Sequence, residues 1–167
     1  MGLEPVWKDH AVVLVSDGGS MFPSAPDAGW LWRLERYVAI QGNQAQALRR
    51  RWLMSNFTSG LLAGTYWGVG SSTDHYGPTA PMGYSHAVVH ECIATIRTDL
   101  DAFSDAEANV LENHGYLLAE AAIRIHAPTL IATSVPLAIP HPHWMDEAKV
   151  RAALKDSHQR KLPMGRS

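Results

Sequence analysis

Residues 11–15, Ala-Val-Val-Leu-Val, form a short apolar run rich in β-branched side chains and closed by Ser16-Asp17-Gly18-Gly19. That pattern predicts a buried strand followed by a tight turn. Residues 20–29 hold Pro23 and Pro26 and read as a loop. From 30 to 54 the apolar positions fall at helical spacing, with Leu31, Leu34, Val38, Ala45, Leu48 and Trp52 tracing one face. Gly42 marks a point where this helix is expected to kink or divide in two. Arg49-Arg50-Arg51 suits the negative end of the helix dipole, a better fit than a phosphate site.

Residues 61–69 predict a second strand, with Gly64 and Gly68 permitting close backbone approach. A polar loop rich in Gly and Pro follows over 71–83, then a helix over 85–95. Ser104-Asp-Ala-Glu107 has the spacing of a capping box and opens a helix that runs to His126. Its apolar face is Val110, Leu111, Leu117, Leu118, Ala121, Ala122 and Ile125. Pro128, Pro136, Pro140 and Pro142 then predict a mobile, non-helical arm, and 146–157 one last helix before a frayed basic tail. The fold class expected is α/β: a small sheet with several helices, divided into a body over 1–127 and an arm with a terminal helix over 128–167. Two strands make a poor sheet by themselves, because an isolated pair is marginal in water and leaves its edges unpaired.

Composition narrows the function classes. The chain has 167 residues, 46% hydrophobic and 18% charged, with a formal net charge of −2. That balance gives no electrostatic reason to expect nucleic acid or an anionic membrane as partner. Cys92 is the single cysteine, which rules out an internal disulfide or a cysteine-rich zinc site and suits a reducing cytoplasm. The N-terminal residues have no apolar core of a signal peptide, and no apolar stretch approaches the roughly 20 residues of a membrane helix. Nine histidines and six tryptophans are the unusual counts.

Three segments carry a family resemblance: Gly2-Leu-Glu-Pro-Val-Trp7; Val13-Leu-Val-Ser-Asp-Gly-Gly19; and the pair Gly64-Thr-Tyr-Trp-Gly68 with His114-Gly-Tyr116. In this order and spacing they resemble the C-terminal part of bacterial patatin-like phospholipases, over residues 2–126. The resemblance implies an α/β acyl-ester hydrolase with a Ser–Asp dyad, its serine on a Gly-x-Ser-x-Gly turn beside backbone oxyanion donors. No such string occurs here; Gly68-Val-Gly-Ser-Ser72 has the wrong spacing. Asp17-Gly-Gly19 fits the turn that carries the family's base. In the subgroup resembled, however, the catalytic turn leads directly into Gly-Leu-Glu-Pro. That implies a base lying before Met1, with Asp17 on the following strand's turn. The resemblance thus implies a chain that opens in mid-motif without a complete dyad, and it accounts for the shortage of strands. It also leads us to expect self-association into a homo-oligomer that covers the open strand edge.

The remaining candidate chemistry rests on histidine. His86 and His90 lie four apart on a helix, hence on one face, with Glu91 beside them. Imidazoles at this spacing suit zinc or another divalent transition metal. They are also what ordinary surface residues look like, since position 94 is Ala and the His-Glu-x-x-His motif is absent. Asp74 or His75 from the preceding loop would complete the shell, with Glu91 or Asp17 as the catalytic carboxylate. His141-Pro-His143 is a second pair able to chelate. His114 reads as a packing or hydrogen-bonding residue, and Cys92 as a core thiol.

Two functions of different class follow. One is a metal-assisted hydrolase of activated esters or phosphoesters, built on His75, His86 and His90 and acting on a small-molecule ester. The other is a non-catalytic fragment or assembly module of a lipid acyl hydrolase. Histidine density tilts the sequence reading towards the first.

Overall fold

The computed structural model describes residues 9–19, 29–98, 101–131 and 136–159. The Gly2–Trp7 segment, the Pro23/Pro26 loop and the basic tail lie outside the described residues, as do the side chains of Leu31, Leu34 and Val38. The described elements make a mixed α/β chain with a two-stranded parallel sheet. The chain divides into two compact units, Met1–Val13 with Phe22–Gly64, and Leu14–Met21 with Thr65–Ser167.

The first unit is dominated by helix α1, Gly29–Thr58. It is one continuous helix of 30 residues that passes through Gly42 without dividing. Good helix formers such as Gln44, Ala45, Gln46, Ala47 and Leu48 after the glycine outweigh its cost of about 1 kcal/mol. The helix has the predicted span but not the predicted burial: among its described side chains Leu48 is 64% and Trp52 43% exposed, while Leu53 is buried. The arginine triplet also sits away from the helix end, since the last turn contains no basic residue. That end is closed instead by Thr58 Oγ1 donating to the Met54 carbonyl and Asn56 Nδ2 to that of Trp52, before Gly60 turns the chain at φ 73°.

Strands β1 (Val12–Asp17) and β2 (Ala63–Gly68) each begin in the first unit and end in the second. The parallel pair is joined by the long crossover that such strands require. Gly64 lies so close to Val13, at φ 137°, that a methyl group there would overlap the Val13 carbonyl oxygen. Close approach is thus the reason for this glycine, as its place in a strand suggested. At the other end Val69 N–H donates to the Asp17 carbonyl at 3.0 Å.

The second unit packs around Tyr84, Val88, Val89, Ile93, Ile96, Val110, Val150 and Leu154. Each fully buried aliphatic side chain here contributes roughly 1.5–3 kcal/mol over its exposed state. Helix α2 (His86–Val88) runs directly into a π-helical turn, Val89–Ile93, closed by Ala94 N–H on the Val89 carbonyl. Val88, Val89, Ile93 and Ala94 are buried, and Cys92 is partly buried and packed against the core. The single α-helix expected over 85–95 is thus a short α segment followed by a π turn.

Helix α3, Asp105–His126, starts with the predicted capping box: Glu107 N–H donates to Ser104 Oγ at 3.3 Å, and Ser104 N–H to Glu107 Oε2 at 2.7 Å. The expected arm is not a free appendage. Val150 and Leu154 join the same core as Val110, with Trp144 and Met145 packed against it. Helix α4, Glu147–Ala153, is shorter than predicted and is capped by Asp146 Oδ1, which accepts from Ala148 and Lys149 N–H.

Candidate functional site

The residues with most chemistry gather where the loop after β2 meets α2. A short 3₁₀ helix, Thr73–Tyr76, brings His75 up to the start of α2. The His75 and His86 rings meet edge to face with centroids 6.1 Å apart, and the His86 and His90 rings lie 5.4 Å apart at 24°. The three histidines singled out from sequence therefore form one exposed row. Its base is firm. Glu147, from α4, accepts from Ser85 N–H at 2.6 Å and Ser85 Oγ at 2.9 Å, while Ser85 caps α2.

The carboxylates expected to serve this row are engaged elsewhere. Glu91 forms an ion pair with Arg151. Asp17, half-buried at the carboxyl end of β1, accepts from Gly19 N–H through Oδ1 at 3.0 Å and from Tyr66 OH through Oδ2 at 2.8 Å. The first bond closes the turn and the second ties the strands together. Tyr76 OH donates to the Tyr66 carbonyl, and its phenol is pushed up to about 12, first by burial and then by the neighbouring Tyr66.

His75 has a commitment of its own. Ser72 N–H donates to its Nδ1 at 3.3 Å, so the neutral ring carries its proton on Nε2. A ligating imidazole needs the opposite arrangement, donating from one nitrogen while the other holds the metal. Among the described residues no group of three or more His, Cys, Asp or Glu side chains could hold a metal ion.

Sequence reasoning missed one contact here. Ser72 Oγ lies 3.5 Å from His75 Nδ1, the order of residues and approximate spacing of a nucleophile and its base. Ser72 is only 1% exposed, however, and stands at the start of a 3₁₀ helix, so the contact belongs to helix initiation. It also missed Glu147 as the support of the row, for which a separation of 62 residues offers no local signal. His114 Nε2 lies 2.8 Å from the Val69 carbonyl, and burial pushes this imidazole below its usual range. Burial likewise pushes the Cys92 thiol up, only partly opposed by Arg151, and so away from nucleophilic use. His141 Nε2 meets Glu112 at 2.8 Å, while Asn113 holds the His141 backbone, so that this member of the second histidine pair is fixed to α3.

No family model, curated protein or solved structure matches this chain. No described helix is long and apolar enough to cross a membrane.

Proposed function

We propose that this chain is a non-catalytic assembly module: the C-terminal part of a patatin-like acyl hydrolase fold, without a nucleophile of its own, acting in the cytoplasm. The observation that carries this reading is that the described residues form a parallel sheet of two strands. Parallel sheets normally have both faces covered and more than two strands. Here Leu14, in the middle of β1, remains 41% exposed among the described residues. The candidate catalytic groups point the same way, because Asp17 and Glu91 are both engaged in structural contacts. A second copy of the chain is the occupant we assign to the open strand, giving a closed homodimer.

Light scattering at micromolar concentration, combined with a fluorophosphonate probe, tests this. We expect a dimer or larger closed species, no labelled serine and no turnover of p-nitrophenyl esters. A stable monomer, or stoichiometric labelling of Ser16, Ser71 or Ser72, would overturn it.

A second reading has its own support, the exposed pair of His86 and His90, whose ring centroids lie 5.4 Å apart. On that reading the chain is a metal-assisted hydrolase of activated esters or phosphoesters, with the metal lowering the pKa of a bound water towards roughly 7. Ester turnover that is arrested by a chelator and restored by zinc would favour it over the first.

A further inference from the structure

We propose that His86 and His90 alone form a two-imidazole site for a divalent transition metal, with water filling the remaining coordination positions. This concerns binding, not catalysis, and does not depend on the assembly reading. Three observations carry it. Among the described residues, His75, His114 and His141 each have a ring nitrogen engaged by the protein, whereas no protein hydrogen bond occupies either ring of His86 or His90. Both side chains are exposed, so a hydrated ion can reach them without unfolding the turn.

The separation also fits. With a metal–nitrogen bond of about 2.0–2.1 Å, each ring centre lies about 3.2 Å from the ion, and a tetrahedral angle sets the two centres about 5.2 Å apart. The observed separation is 5.4 Å. The rings are stacked at 24°, so their nitrogen lone pairs do not converge as they stand, and sharing one ion requires both rings to turn about χ2, a broad torsion for histidine. The backbone beneath them is held by the π-helical turn and by Glu147 on Ser85, so little backbone order has to be supplied on binding.

His75 is a wall of this site and not a ligand. Using its Nε2 would mean moving the ring proton to Nδ1 and giving up the bond from Ser72 N–H. Glu91 would have to leave Arg151. With two neutral nitrogen ligands and water, preference should follow the general order for divalent ions, copper above nickel and zinc.

The test is titration of the untagged full chain with Cu²⁺ and Ni²⁺ by calorimetry, with Cu²⁺ spectra recorded by electron paramagnetic resonance. We expect one ion per chain, Cu²⁺ bound more tightly than Ni²⁺, and nitrogen hyperfine structure from two imidazoles. His86→Gln and His90→Gln should each weaken binding at least tenfold, and His75→Gln and His143→Gln less than threefold. Binding undiminished in both His86→Gln and His90→Gln, or absent from the native chain at millimolar metal, would refute the site. Loss in His75→Gln would refute the tautomer argument that excludes it, and loss in His143→Gln would move the site to the other histidine pair.

Discussion

Replacing Asn113 by alanine should detach the proline-rich segment from α3. Asn113 is fully buried, and its amide does three things at once. Nδ2 donates to the His141 carbonyl at 2.8 Å and to Tyr84 OH at 3.3 Å, and Oδ1 accepts from His141 N–H at 2.8 Å. At a net value of about 0.5–1.5 kcal/mol for each hydrogen bond, the loss is roughly 1.5–4.5 kcal/mol. His141 is only partly buried as a residue, so water can reach part of what is freed. That places the expected cost near the middle, about 3 kcal/mol. With a urea dependence of about 2 kcal/mol per molar, the unfolding midpoint should fall by about 1.5 M. Hydrogen exchange supplies a local readout, because the His141 amide should lose its protection before the interior of α3 does. Asn113→Asp keeps the acceptor but removes the donor and buries a charge, and should be at least as damaging. A loss under about 0.5 kcal/mol, with the His141 amide still protected, would show that this segment is held by Val150 and Leu154 packing and not by the asparagine.

Other outcomes follow from particular contacts. Gly64→Ala should disrupt the strand pair, because the added methyl overlaps the Val13 carbonyl and φ is 137°; an unchanged thermal midpoint would mean that β1 and β2 can shift apart freely. Glu107 should govern acid stability. Burial alone would raise its carboxyl, but hydrogen bonds from Arg97, Ser104 and Ser157 outweigh this and hold it at about 2 against the ordinary 4.5. A depressed carboxyl stabilises fully above pH 4.5, and that stabilisation is lost as pH falls from 4.5 towards 2. Urea melts of Glu107→Gln across this range should therefore show a flatter acid limb than the native chain, and identical limbs would refute the assignment.

Local rules determined much of this protein. The capping box at Ser104 and the span of α3 follow from residues within a few positions of one another. So does the placing of His86 and His90 on one side of a turn, because backbone periodicity fixes which side chains are neighbours. What lay beyond sequence required distant partners. The Arg97 side chain joins Asp101 and Glu107 in a buried network, and the Arg97 N–H bonds to the Ser157 carbonyl. Neither partner set can be read from the arginine alone. Helix α1 makes the same point in reverse: its apolar spacing predicted the helix, yet Leu48 and Trp52 remain exposed. Periodicity states which face could be buried, and only a surface packed against that face decides whether it is. The partners of Asp17 and Glu91 lay equally beyond sequence, because Tyr66 and Arg151 are 49 and 60 residues away.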